Sequence, residues 1–360
     1  MINLAPKLGS CSLTVPKAYF VTTTLADVHK DKENTIQLSG RTLFLNGECI
    51  GELQIELTDF DHYEVWIIFP NTKDVNRFFR PSANSNTILL TERCDQYCLM
   101  CSQPPKAKDY LHFDLYHSAL ALIKEPTVIG ISGGEPTLYK EALFDFLIEA
   151  IARFPNVKFH ILTNGQHFSD VDTKTLAKLR KHVIWAIPIY SSHADEHDKI
   201  VGKRGAFKGL LANLTILAKA SARVELRTVV LRENIFSLGR LALFISTIFP
   251  WSDSWSIMQL EKIGFAKIDW KLKFYDTSSD FTLVASALDV CIANDVNVNL
   301  YNFPRCTVPH KYRPMAVASI SDWKVKFFDN CKKCSEKNIC SGVFEWYDPD
   351  DGYKNIGPIV

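Results

Sequence analysis

The sequence predicts an α/β protein, a partial (βα)6 TIM-like barrel with a β-rich module before it and a cysteine-rich extension after it. Three observations carry this. Apolar runs of strand length alternate with amphipathic helical stretches over residues 83–300. The preceding residues, 1–82, keep a strand texture with no helical period. Four of the ten cysteines lie beyond Tyr301, in a segment 301–360 of its own character. A chain of 360 residues accommodates a large domain with smaller attachments.

In the first segment, Arg41–Leu45 and Gly51–Leu57 flank Asn46-Gly47, a strong hairpin signal. Tyr63–Phe69 is a third β-rich run, stopped by Pro70 and Asn71. From there the predicted strands are Thr87–Leu90, Thr127–Ile131, Val157–Leu162, Val183–Ile189, Val224–Leu231 and Trp255–Leu260. Between them, Lys140–Phe154, Lys174–Lys181, Phe207–Ala220 and Leu238–Ile248 have helical periodicity, and Phe281–Asn294 closes the series. Strand and helix in alternation imply a parallel sheet covered by helices. Six units are too few to close an eight-fold barrel, and ligands in such sheets sit beyond the carboxyl ends of the strands.

Formal charges nearly cancel at +1, which argues against a general nucleic-acid binder. No apolar run is long enough for a bilayer. Met1–Phe20, interrupted by Pro6 and Pro16, lacks a signal-peptide layout, so the cytoplasm is the expected location. Ten cysteines in a reducing compartment point to metal or redox chemistry rather than to disulfides. Cys11, Cys49 and Cys291 are isolated and read as small buried hydrophobes.

Cys94, Cys98 and Cys101 follow the strand Thr87–Leu90 with C-x3-C-x2-C spacing. Three thiolates on one short loop can hold three corners of a cubane [4Fe–4S] cluster and leave the fourth iron open. A zinc site would need a fourth protein ligand, and His112, at a helix start, is the nearest candidate. This spacing after this strand resembles the signature of the radical S-adenosylmethionine (SAM) superfamily. The resemblance implies that SAM chelates the open iron and is cleaved, by an electron from the cluster, to methionine and a 5′-deoxyadenosyl radical. It places Met100, where the family usually has an aromatic residue, near the adenine.

Ser132-Gly133-Gly134-Glu135-Pro136 follows the second strand, where two glycines allow close backbone approach and offer N–H groups to a ligand. The resemblance assigns Gly133, Gly134 and Glu135 to the SAM amino group. It also brings Asn164, in Thr163-Asn164-Gly165 after the third strand, and Ser191, after the fourth, to the cofactor. His193, His197 and Asp198 have the composition of a metal cluster but read as a loop and helix cap before Gly202-Lys203-Arg204-Gly205. Arg227 and Glu261 are charges at the carboxyl ends of strands, facing SAM, substrate or an ion-pair partner.

Cys306 with Cys331-x2-Cys334-x5-Cys340 gives four thiols, which fit a second [4Fe–4S] cluster or a four-thiolate zinc site. Many peptide-modifying radical SAM enzymes carry such an extension, so the resemblance tips the reading to iron. Leu99-Met100-Cys101-Ser102-Gln103-Pro104-Pro105, Ile320-Ser321-Asp322-Trp323, Cys340-Ser341-Gly342-Val343-Phe344 and Ile356-Gly357-Pro358-Ile359 are similar to the His-Xaa-Ser system radical SAM maturase of the C type. That implies a peptide or small-protein substrate with His-Xaa-Ser repeats, a second radical SAM maturase as partner, and an electron donor. The β module would give such a chain a surface for strand addition. The competing readings are a radical SAM enzyme for a small molecule or nucleotide, and a zinc-stabilised scaffold without activity.

Overall fold

The computed structural model describes residues 5–24 and 33–360. The readings of Met1–Phe20 and of the 1–82 module thus lie partly outside the described residues. The chain divides into two compact units. The first holds Met1–Ile88, Tyr110–Gly130 and Phe144–Lys158, and the second holds Leu89–Asp109, Ile131–Leu143 and Phe159–Val360.

The first unit is built on β1 (Leu8–Cys11), β2 (Lys17–Thr22), β3 (Thr35–Ser39), β4 (Thr42–Leu45), β5 (Glu48–Leu53), β6 (Glu64–Phe69) and β7 (Asp74–Phe79). They lie in the order β1-β5-β4-β3-β2-β6-β7, antiparallel except for β2 with β3. Asn46 and Gly47 both take positive φ, 55° and 82°, as the expected two-residue hairpin turn requires. Leu8, Val21, Ile36, Leu43, Trp66 and Ile68 form its core. The edge strands are tied at one end, because Leu8 N–H donates to Lys73 O (2.9 Å) and Val75 N–H to Pro6 O (3.1 Å). An edge whose N–H and C=O groups are already paired cannot template another strand there, which narrows the room for strand addition. The segment Phe113–Leu122 forms a helix, α1, that packs on β2 and β6. His112 precedes it, its ring 5.0 Å from that of Phe69.

The second sheet runs in chain order through β8 (Asn86–Thr91), β9 (Thr127–Gly133), β10 (Val157–Leu162), β11 (Val183–Pro188), β12 (Arg223–Val229), β13 (Ser254–Met258) and β14 (Val298–Tyr301). It is a curled parallel half-barrel, with the pairs from β10 to β14 in parallel register. The six expected strands are present, and β14 adds a seventh. The helices between the strands are α2 (Lys140–Arg153), α3 (Thr173–Leu179), α4 (Ala194–Val201), α5 (Ala206–Lys219), α6 (Leu238–Ile248), the single turn α7 (Trp270–Lys273) and α8 (Thr282–Ala293). Alternate strand residues such as Phe159, Ile161, Trp185, Ile187, Val224, Leu226, Trp255 and Ile257 are buried apolar side chains. The intervening positions carry His160, Glu225, Arg227 and Ser256 on the other face. Cys291 is buried on α8 as expected, whereas Cys11 is only half-buried and Cys49 is exposed. Cys49 sits beside the hairpin turn, too short a strand end to be covered. No helix among the described residues is long and apolar enough to cross a membrane.

Candidate active site

Strand β8 delivers the chain to Cys94 at the carboxyl edge of the sheet. The loop carrying Cys94, Cys98 and Cys101 is clamped by backbone hydrogen bonds from three directions. Gly134 N–H donates to Thr91 O and Glu135 N–H to Arg93 O, both at 2.7 Å. Tyr97 N–H donates to Val201 O (3.0 Å) and Leu99 N–H to Ile200 O (2.9 Å), so the loop also satisfies carbonyls at the end of α4. Phe265 N–H donates to Cys101 O at 2.8 Å.

Glycine is needed at each clamp because the backbones touch. A Cβ on Gly133 would overlap Thr91 O, on Gly134 Arg93 O, on Gly202 Tyr97 O, and on Gly264 Cys101 O. Gly133 (φ 138°), Gly202 (65°) and Gly264 (53°) also hold positive φ. The sequence reading expected the Gly133-Gly134 N–H groups to face a ligand. The N–H of Gly134 instead holds the start of the cysteine loop, which revises the reason for glycine there. Gly202 and Gly264 were not singled out as loop contacts, since nothing in a lone glycine tells which distant strand it underlies.

Glu135 is fully buried and accepts hydrogen bonds from Thr137 N–H (2.8 Å), Thr163 Oγ1 (2.6 Å) and Asn164 N–H (2.5 Å). Burial raises its pKa against the lowering effect of those donors. Asn164 Nδ2 donates to Asp95 Oδ1 at 2.7 Å. Asp95 also pairs with Lys203 and lies 3.4 Å from His167 Nε2. Although desolvation opposes it, nearby His167 and the hydrogen bonds from Lys203 and Asn164 hold the Asp95 carboxyl well below the usual range. This carboxylate within the cysteine loop, with its Lys203 partner, was missed in the sequence because a single Asp in a loop carries no pattern.

Cys94 and Cys98 feel the charge of neighbouring thiols. Burial first, then Cys101 and Cys94, raise the Cys98 pKa, and burial pushes Cys94 up to about 12. Neutral thiols of this kind ionise on binding a metal, which releases their protons. Met100 is buried in the core with Tyr190, Ile200 and Leu260 behind the loop. Ser191 is also buried. Its hydroxyl donates to Glu196 Oε2 (2.9 Å) and accepts from His193 N–H (3.0 Å), so it holds the start of α4 rather than facing outward.

The His193–Asp198 segment has the loop and cap role expected for it. Asp198 accepts from Phe207 N–H at 2.7 Å, capping α5, and His197 Nδ1 accepts from Tyr190 N–H at 3.3 Å. Burial lowers the His197 pKa to about 4. A histidine kept neutral in the fold stabilises fully above the unfolded pKa of about 6.5, and that share is lost as pH falls toward 4. The size is about 3 kcal/mol at most. Thermal melts from pH 7 to pH 4 should therefore show a fall in Tm, and His197→Asn, which keeps an acceptor for Tyr190, should flatten it. Parallel curves for the two proteins would refute this.

On the lumen face, Glu225 Oε2 lies 2.5 Å from His160 Nε2, and Oε1 lies 3.8 Å from Arg227 Nε. Hydrogen bonding to His160, over the opposing effect of burial, holds Glu225 at about 2. Glu261 pairs with Lys324 at 3.2 Å. Arg227 and Glu261 are thus both ion-paired.

Cys306, Cys331, Cys334 and Cys340 line one pocket, with about 390 Å³ of empty space partly open to solvent and an otherwise mainly apolar wall that includes Phe328, Ile356 and Ile359. Backbone N–H groups of Arg305 (3.3 Å) and Gly342 (3.4 Å) donate to Cys340 Sγ, and Ile359 N–H donates to Cys334 Sγ (3.4 Å). N–H donors aimed at sulfur are suited to thiolate ligands of a cluster. Neither thiol group is drawn in to single-ion spacing: among the described residues no three His, Cys, Asp or Glu side chains are. A cubane presents a separate iron to each thiolate, so its ligands need not converge on one point.

The curated proteins give no sequence match to this chain. Among solved structures, Streptococcus suis SuiB bound to S-adenosylmethionine is similar at 18% identity and a TM-score of 0.50, over 63% of this chain and 51% of SuiB. SuiB bound to precursor peptide SuiA matches at 18% and 0.48, over 60% and 47%. Native anSMEcpe with bound AdoMet and Cp18Cys peptide matches at 13% and 0.44, over 59% and 62%. The match spans about half the length of SuiB, and at this identity it speaks to the fold. The family model of the Radical SAM superfamily matches residues 88–245, from β8 into α6, a span that includes all three clamped cysteines. The chain therefore carries a radical SAM superfamily domain, which implies a [4Fe–4S] cluster and SAM.

Proposed function

We propose that Cys94, Cys98 and Cys101 ligate the SAM-binding [4Fe–4S] cluster and that the protein modifies a ribosomally made peptide or small protein. The observation that carries the first part is the cysteine loop, clamped at the carboxyl edge of a radical SAM half-barrel. Bound there, cluster and SAM would supply reductive cleavage to methionine and a 5′-deoxyadenosyl radical. The protein's own part is to fix the loop, to keep Asp95 ionised beside it, and to orient SAM. In this reading Met100, Gly133, Gly134, Glu135 and Asn164 form the SAM side, with Ser191 holding α4 behind it.

The peptide reading is supported by the four-thiol pocket and by the resemblance to the His-Xaa-Ser C-type maturases. It takes 1–82 as the β-rich module, 83–300 as the barrel and 301–360 as an extension ligating an auxiliary [4Fe–4S] cluster. A second radical SAM maturase and an electron donor complete the system, in the cytoplasm. Co-expression with a linked His-Xaa-Ser repeat protein and the partner should change that protein's mass, and Cys94→Ala should remove the change. An unmodified peptide alongside turnover of a metabolite or nucleotide would overturn the peptide assignment.

The auxiliary cluster has its own test. A variant lacking Cys94, Cys98 and Cys101 should retain about half of the iron, given four irons at each site. Iron and zinc analysis after anaerobic reconstitution reads this out. Zinc without iron in that variant would make the C-terminal site structural.

A further inference from the structure

We infer that Asp95 and Lys203 act as one positioning device at the first cysteine loop. The carboxylate ties the loop down, and the ammonium offsets the carboxylate's charge so that a cluster ligated there can accept an electron. This deepens the cluster reading above and rests on it.

Asp95 directly follows Cys94, so its Cα stands about 3.8 Å from that of the first proposed ligand. Its two oxygens are held from separate parts of the second unit. Asn164 Nδ2, just beyond β10, donates to Oδ1 at 2.7 Å. The orientation of that amide is set, because its own oxygen accepts the Gln166 N–H at 3.1 Å. Lys203 Nζ, from the connection between α4 and α5, donates to Oδ2, and His167 Nε2 lies 3.4 Å from the same oxygen. The clamp itself brings Lys203 there. Its N–H donates to Asp198 O (3.1 Å), and Gly202 before it packs on the carbonyl of Tyr97. The pair thus joins the cysteine loop, the end of β10 and the end of α4.

A carboxylate in this place carries a redox penalty. The reduction potential of an iron–sulfur site depends on the net charge around it, and three thiolates are negative already. Reduction adds one electron, [4Fe–4S]²⁺ becoming [4Fe–4S]⁺, supplied by a low-potential one-electron donor, with no bond made or broken at either side chain. A lone negative charge beside Cys94 opposes that gain. Solvent screens it incompletely, since the side chains of Asp95 and Lys203 are only 26% and 35% exposed. Its reach shows in the thiols, because Asp95 helps to raise the pKa of both Cys94 and Cys98. Lys203 places a positive charge on the carboxylate, which offsets the penalty and keeps the hydrogen bond that holds the loop.

A pair that only held the loop would loosen it whichever partner was removed. A pair that also balances charge responds with opposite signs to the loss of its two halves. The test uses the full chain, anaerobically reconstituted and titrated with dithionite, and follows the reduced cluster by electron paramagnetic resonance. The signal of the first site is the one absent from the variant lacking Cys94, Cys98 and Cys101. At a fixed potential, Asp95→Asn should raise the ratio of reduced to oxidised cluster about three- to tenfold, and Lys203→Met should lower it by as much. Tenfold corresponds to about 59 mV for one electron. The double variant should return close to wild type, and Lys203→Arg, which keeps the charge, should match wild type. Shifts of the same sign in the two single variants, or no shift in either, overturn the inference. Should Asp95→Asn fail to assemble the site, Lys203→Met decides alone, and an unchanged or raised ratio there overturns the inference. A wild type without this signal would overturn the cluster reading itself, a failure distinct from a signal whose potential ignores the pair.

Discussion

Cys98→Ala is expected to abolish conversion of SAM to 5′-deoxyadenosine while leaving the protein folded. The loop is held by main-chain groups on either side of this residue, Tyr97 N–H on Val201 O and Leu99 N–H on Ile200 O, and none of these bonds involves the sulfur. Removing the thiol would therefore delete a proposed cluster ligand without releasing the clamp. Two thiolates cannot retain a cubane with an open iron, so the loss of activity should be complete rather than graded. Chromatography of the reduced, SAM-loaded protein measures the product, and circular dichroism checks the fold. A folded variant that still forms 5′-deoxyadenosine would remove Cys98 from the cluster. Cys94→Ala and Cys101→Ala should behave alike, whereas Cys291→Ala, buried on α8, should keep full cleavage.

The half-barrel was legible in the sequence because its outer face is apolar at every second position and its helices keep a clean period. Val157–Leu162 and Leu238–Ile248 coincide with the elements observed. Strand β14 escaped notice because Val298–Tyr301 is four residues long, with Asn299 interrupting the apolar run. In the first unit, β1, β2, β3 and β7 mix polar residues into the pattern, so only the segments near Asn46-Gly47 and Tyr63–Phe69 stood out. The spacing of Cys94, Cys98 and Cys101 marked the loop directly. What spacing could not show is how the loop is held, since Val201, Gly202, Gly264 and Asp95 become its neighbours only through tertiary packing. At Ser191 the structure adds a contact that the pattern did not show: its hydroxyl, at the end of a strand, donates to Glu196 Oε2 of the next helix.

The clamp itself makes the second large prediction, that Gly134→Ala empties the first site and spares the other. A Cβ at this position would overlap the carbonyl oxygen of Arg93, which is backbone and cannot swing aside as a flexible side chain would. That same oxygen accepts the Glu135 N–H, and Arg93 immediately precedes Cys94. Relief of the overlap must therefore shift the Cys94 end of the loop. Overpacking of this kind costs about 1–3 kcal/mol, small against a whole domain but concentrated on one proposed cluster ligand. The four-thiol pocket is built by residues 304–359 and makes no use of Gly134. If it holds an auxiliary cluster, iron should fall by about half and SAM cleavage should fall at least tenfold, with a modest decrease in Tm. Gly239→Ala is the matched control: its new methyl would meet only Ser286 Oγ, at an ordinary 3.5 Å, inside α6, where alanine favours the helix. Its iron content and SAM cleavage should be those of the wild type. Full iron and undiminished cleavage in Gly134→Ala would show that the glycine pair does not hold the cysteine loop in place.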